Sequence, residues 1–169
     1  IKKISKERIL LELFKIIDLK NFTNLCEKKY LKELFSLIFP EFENLERLDR
    51  LNKICNHTEV NRDILLAILL IDEKDNHEYF AHKYNISNNL KEKLNFFAKN
   101  LKLIRENKDF YNNNLEKNIY VSGKNSLINL NILNFVINTN YKFKDFAETL
   151  TRILQSKYHT FPIDGKYLI

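Results

Sequence analysis

Paired carboxylates could hold the metal ions that metal-dependent transferases and hydrolases require. Asp72 and Asp75 are three residues apart at the expected end of a helix, and we interpret them as solvated helix caps. The sequence contains no Asp-x-Asp pair, no glycine-rich phosphate turn and no Gly-x-Ser-x-Gly nucleophile pattern. These observations predict no catalytic residue, no metal ligand and no cofactor in this chain.

Histidines and cysteines are the other residue types that bind metals. They are His57, His77, His82, His159, Cys26 and Cys55. His77 and His82 are five residues apart, about 140° around a helix axis, so they do not share a face. The cysteines form no C-x-x-C motif. We interpret the histidines as ordinary surface or half-buried residues, and the cysteines as buried, reduced thiols of a cytoplasmic protein.

Basic side chains point to a different chemistry, the binding of phosphate groups. Lys91, Lys102 and Arg105 fall on one flank of a predicted helix, Lys99 lies further round, and Lys6 stands near the start of the chain. On a rigid helix such residues contact successive phosphates of a nucleic acid and provide affinity rather than base recognition. The alternative is an ordinary solvated helix face with i,i+4 ion pairs.

The overall charge is compatible with both readings. The 169 residues carry a formal net charge of +6, which suits a polyanionic partner but also follows from a composition rich in Lys, Asn and Ile. The apolar run Ile64–Ile71 is far shorter than the ~20 residues of a membrane-spanning helix, so we expect no membrane partner. The first residue is not Met, and we expect a piece of a longer protein or a trimmed chain.

Helices must position these side chains, because only two Gly and two Pro interrupt the chain. The first is expected to begin at Ser5 as N-cap, with Glu7 near the positive end of its dipole. Arg8 and Glu12 are four residues apart and are expected to pair. One face is predicted to carry Ile9, Leu13, Ile16 and Ile17.

Further apolar stripes continue this pattern along the chain. They comprise Phe42, Leu45, Leu48, Leu51 and Ile54; the nearly all-apolar stretch 63–72; the short segment 77–84; Leu90, Leu94, Phe97, Leu101 and Ile104, capped by Ser87; the stretch 127–137 after Gly123; and the stretch 143–154. Helical spacing dominates throughout. We therefore predict an all-α fold, an elongated layered array of about eight to ten helices.

Several short motifs resemble, in the same order, those of bacterial-type tRNA nucleotidyltransferases and poly(A) polymerases. They are Ile4-Ser5-x-Glu7-Arg8-Ile9 with Glu12, Phe39-Pro40-Glu41, Leu66-Ala67-x-Leu69-Leu70, and Phe161-Pro162 followed by Gly165. Some relatives continue the third motif with a His-Asp metal pair. This chain has Ile71-Asp72 there, so the resemblance transfers no metal site.

The resemblance implies a division of the chain into neck-like, RNA-binding helices (1–40), a helical body (41–156) and the opening of a tail (157–169). It also implies that the chain holds tRNA or another RNA while a catalytic head, in cis or in trans, adds nucleotides to the 3′ end with Mg²⁺. The parent protein would be a nucleotidyltransferase, although this chain lacks the catalytic carboxylates. CCA addition, poly(A) addition and A-only addition all stay open. The alternative is a stand-alone helical interaction module from a split gene that docks a separate head chain.

Overall fold

A computed structural model describes residues 5–25, 28–107 and 109–156. Within these ranges the chain forms ten α-helices in a layered array and no strand, as the all-α prediction requires. The helices are α1 (Lys6–Ile17), α2 (Phe22–Leu25), α3 (Lys29–Ile38), α4 (Arg47–Leu51), α5 (Arg62–Leu70), α6 (Asn76–Tyr84), α7 (Asn88–Glu106), α8 (Leu115–Ser122), α9 (Lys124–Ile137) and α10 (Phe143–Gln155). Among the sequence predictions, the tail (157–169) lies outside the described residues, and so do Ile4, Cys26, His159, Phe161, Pro162 and Gly165.

Two apolar helices, α5 and α9, form the centre of the array. Every residue from Ile64 to Leu70 of α5 is buried, as the apolar sequence of that stretch predicts. Helix α5 packs against α1, α4, α6, α7 and α9, and helix α9 packs against α4, α5, α7, α8 and α10. The remaining helices therefore need only one apolar stripe each.

The stripe with a repeat of three residues forms tight turns around the short helix α4. Phe42, Leu45, Leu48, Leu51 and Ile54 are all buried. Hydrogen bonds between residues three apart accompany this spacing: the Leu48 amide donates to the Leu45 carbonyl, and the Ile54 amide donates to the Leu51 carbonyl. The period of three matches such 3₁₀-type turns, in which side chains at i and i+3 lie above one another.

Helix α1 is buried on a slightly different side from the one predicted. Leu10, Leu13 and Ile17 are buried, whereas Ile9 is half-buried and Ile16 is 37% exposed. The buried side packs against α5 and α6. The predicted face is thus wrong at Ile16, because a helix with apolar residues on more than 100° of its circumference can rotate and still bury a stripe.

Helix α8 has no counterpart among the predicted helices. It is only eight residues long, and its buried residues are Leu115 and Ile119, too few for a clear period. Gly123 ends the helix with a φ of +79°, a conformation that L side chains rarely adopt. This glycine lets α9 start immediately in a new direction.

Candidate nucleic-acid interface

The predicted basic flank lies on α7, the longest of the described helices at 19 residues. Its N-terminus is capped as expected: the Ser87 hydroxyl accepts a hydrogen bond from the Leu90 amide at 3.3 Å. The stripe of Leu90, Leu94, Phe97 and Leu101 is buried, and α7 packs against α5, α6 and α9. Packing on three neighbours fixes the rotation of α7 and so the direction of its outer face.

The outer part of α7 carries all four predicted basic residues. Lys91, Lys99, Lys102 and Arg105 are exposed, and the first and last are about 21 Å apart along the axis at 1.5 Å per residue. The helix contains five basic and two acidic residues, namely Lys91, Lys93, Lys99, Lys102, Arg105, Glu92 and Glu106. Lys93 points elsewhere, because it pairs with Asp63 of α5 at 2.6 Å.

Arg105 has an acidic neighbour within the protein. One of its guanidinium nitrogens lies 3.5 Å from a carboxylate oxygen of Glu73, and the two side chains are 43% and 89% exposed. Exposed pairs of this kind contribute about 0–1 kcal/mol to stability. Arg105 can therefore exchange this carboxylate for a phosphate oxygen at low cost.

Lys6 does not belong to the same surface element. It is exposed in the first turn of α1, a separate helix that packs against α5 and α6. The structure thus groups Lys91, Lys99, Lys102 and Arg105 on one helix and leaves Lys6 on another.

The motif residues at the start of α1 cap the helix. The Ser5 hydroxyl accepts from the Arg8 amide at 3.3 Å, and Glu7 lies in the first turn, both as predicted. The predicted pair of Arg8 with Glu12 is wrong, because the Glu12 carboxylate pairs with Lys15 at 2.9 Å instead. An acidic residue before a basic one suits the helix dipole better than the reverse order.

Pro40 and Glu41 also have structural positions. Helix α3 ends at Ile38, two residues before Pro40, as the restriction on residues before proline predicts. The Glu41 side chain is buried and pairs with Lys83 of α6, and the Glu41 carbonyl accepts from the side-chain amide of Asn76. Glu41 therefore joins the α3–α4 connection to α6.

The histidines and Cys55 differ in their exposure. His77 is buried, so the prediction of a surface or half-buried histidine is wrong at this position. Burial, with a smaller effect of Lys102, lowers the pKa of its imidazole despite three nearby carboxylates. His82 is exposed. Cys55 is exposed rather than buried, so that prediction is wrong; its thiol donates to the Leu51 carbonyl at 3.3 Å. Across the described ranges no three His, Cys, Asp or Glu side chains form a group that could hold a metal.

A polar cleft of about 370 Å³ lies beside the C-terminal end of α7, and Arg105 forms part of its lining together with residues of α9 and α10. Sequence reasoning missed it, although the asparagines within the apolar sequence of α9 were a signal. Asn131 of α9 donates to the Phe146 carbonyl at 3.0 Å and accepts from Tyr141 at 2.9 Å. Burial raises the pKa of Tyr141 to about 12. These bonds hold α9 and α10 together.

Comparison of the sequence and structure with known proteins yields no relative: no family model, no curated protein and no solved structure matches the chain. None of the helices in the described ranges has the length and apolar composition needed to cross a membrane.

Proposed function

We propose that this chain binds the sugar–phosphate backbone of a structured RNA through the outer face of α7. The observation that carries this proposal is the exposure of Lys91, Lys99, Lys102 and Arg105 on one packed helix. Positive side chains along about 21 Å of a helix can meet several successive phosphates and release their counterions.

The type of contact defines what the face can recognise. Lysine and arginine contacts to phosphates position a nucleic acid but carry no sequence information. The net charge of +6 adds long-range attraction that increases the rate of encounter. The proposed role is therefore to hold an RNA in place while chemistry occurs elsewhere.

A particular reaction is supported only by the resemblance of the sequence to a known family. The resemblance to tRNA nucleotidyltransferases and poly(A) polymerases supports tRNA, or another RNA with a free 3′ end, as the bound molecule. A catalytic head in cis or in trans would supply the Mg²⁺-binding carboxylates and the nucleotide site. The cytoplasm is the compartment in which such an activity would operate.

The experiment is a comparison of two triple variants with equal loss of charge. One replaces Lys91, Lys102 and Arg105 by Gln, and its control replaces Lys20, Lys53 and Lys117, which are exposed on other elements. Fluorescence anisotropy with labelled tRNA at two salt concentrations measures Kd. The α7 variant should bind at least tenfold more weakly, and its log–log salt slope should fall by about 0.9 for each lost phosphate contact.

The control separates a local site from general charge. Under the proposal the control variant binds within about twofold of the wild type, because none of its lysines is part of α7. Equal weakening of both variants would assign the binding to net charge and contradict a site on α7. Unchanged binding by the α7 variant would show that these basic residues face solvent and do not contact RNA.

A further inference from the structure

Helix α3 presents a large apolar face to solvent. None of its ten residues is buried. Tyr30, Leu34, Leu37 and Ile38 are 62%, 47%, 81% and 51% exposed. Their spacing of i, i+4, i+7 and i+8 places them on one side of the helix. A contiguous exposed apolar patch of this kind marks an interaction site more often than a lone exposed leucine does.

The body of the protein covers only one edge of the apolar arc of α3. The ring of Phe35 lies 5.7 Å from that of Phe22, 6.0 Å from Phe39 and 6.3 Å from Phe42. On the polar side of α3, Lys32 pairs with Asp49 of α4 at 3.4 Å. At 100° per residue the apolar residues of α3 span roughly 160° of its circumference, so the remaining arc is available to a partner.

Positive charge lies at the N-terminal end of this face. Lys28 is the N-cap and makes no side-chain capping bond, and the first turn of α3 contains no acidic residue. Lys29 and Glu33 form a weak ion pair, because their charged atoms are 3.9 Å apart and both side chains are well exposed. Lysines at the positive end of a helix dipole are unfavourable, and a neighbouring anion relieves both charges.

From these features we propose that the apolar face of α3 binds an amphipathic α-helix of a partner protein, whose apolar stripe is flanked by acidic residues. Apolar side chains fill the space beside Leu34 and Leu37, and the acidic residues lie against Lys28 and Lys29. This is the helix-in-groove mode of recognition. A second copy of this chain also carries a net charge of +6, and repulsion between the two copies disfavours a homodimer. The proposal is independent of RNA binding by α7.

The test uses the whole chain and synthetic peptides of about 18 residues, because shorter isolated helices are marginal in water. One peptide has a leucine stripe flanked by Glu, and a second has the same stripe flanked by Lys. The chain variants are Leu37→Glu and, as a matched control, Val121→Glu on α8, which replaces a side chain that is 72% exposed. Circular dichroism verifies that both variants fold.

The acidic peptide should bind the wild type and Val121→Glu equally, measured by fluorescence anisotropy. Leu37→Glu should weaken this binding at least tenfold, about 1.4 kcal/mol, and the basic peptide should bind at least tenfold more weakly than the acidic one. Equal affinity of the two peptides, or an unchanged affinity of Leu37→Glu, would overturn the proposal. So would sedimentation that shows a wild-type dimer converted to monomer by Leu37→Glu, because the occupant would then be a second copy.

Discussion

The guanidinium of Arg50 lies 4.7 Å from the centre of the Phe135 ring and donates to the Phe135 carbonyl at 3.0 Å. The same side chain donates to the carbonyls of Asn138 and Tyr141, at 3.2 and 3.1 Å. Arg47, one turn earlier, donates to the carbonyls of Ile68 and Ile71 at 2.8 and 2.7 Å. Helix α4 thus supplies cations to the C-terminal ends of both central helices, where carbonyls lack partners within the helix.

The first prediction concerns Arg50. Arg50→Ala should destabilise the protein by about 2–3 kcal/mol, because hydrogen bonds from a charged donor contribute about 1.5–3 kcal/mol. Arg50→Lys should recover little, since an ammonium lacks the planar, multiple donors of a guanidinium. Urea unfolding measures both. Arg8→Ala, on the exposed face of α1, serves as control, and an equal loss there would show that the capping contacts of Arg50 are unimportant.

The second prediction concerns the core. Leu94 of α7 and Leu69 of α5 are 1% and 0% exposed, so Leu94→Ala or Leu69→Ala should cost ~2–5 kcal/mol. Leu37→Ala, on the open face of α3, should cost less than ~0.5 kcal/mol in the isolated chain. Thermal or urea unfolding followed by circular dichroism provides the comparison. Similar losses at all three positions would contradict the assignment of buried and open faces.

The third prediction concerns His77 and pH. Burial, together with Lys102, holds the pKa of His77 below its usual 6.5, although Glu78, Asp75 and Asp72 act in the opposite direction. The unfolded chain therefore binds a proton at a higher pH than the folded chain does. The contribution of this pKa difference to the free energy of unfolding should be fully present above about pH 6.5. It should decrease as the pH falls below that value, by at most about 1.4 kcal/mol per pH unit.

Two variants isolate this effect. His77→Gln removes the titrating group, so its urea midpoint should change less than that of the wild type between about pH 7.5 and pH 5.5. His82→Gln, at an exposed position, should behave like the wild type. A wild-type midpoint that rises on acidification, or an identical pH response of His77→Gln, would exclude His77 as the cause.

The fourth prediction concerns catalysis. Incubated alone with tRNA lacking its 3′ end, CTP, ATP and Mg²⁺, the chain should add no nucleotide. Nucleotidyl transfer needs metal ions held by paired carboxylates in one cleft, and the sequence contains no Asp-x-Asp pair beside a phosphate turn. Extended product from a preparation free of host enzyme would show that a catalytic centre exists within these residues.

The open face of α3 shows where reasoning from the sequence stops. The spacing of Tyr30, Leu34, Leu37 and Ile38 places them on one side of this helix, but spacing alone does not show what covers that side. Of the apolar residues of α3, only Leu31 and Phe35, at the edge of the apolar side, are half-buried in the structure. The sequence alone predicts the proposed basic face of α7, because the four basic residues and one apolar stripe lie on a single helix.

Local patterns determine the helices themselves. Ser5 and Ser87 act as N-caps because a hydroxyl accepts from an amide three residues later, within the same turn. The all-apolar stretch of α5 predicts a central helix, since a helix without a polar side has to be buried all round. Each of these inferences needs only residues that are close in the chain.

Contacts between distant residues could be known only from the tertiary structure. Arg50 and Phe135 are 85 positions apart, and in the sequence Arg50 is one of several charged residues between the buried positions of an apolar stripe. The rotation of α1, which buries Leu10 and leaves Ile16 exposed, depends on the shapes of α5 and α6. Helix periodicity specifies that a stripe is buried, whereas the packing of neighbouring helices decides which carbonyls need a donor and which apolar face stays open.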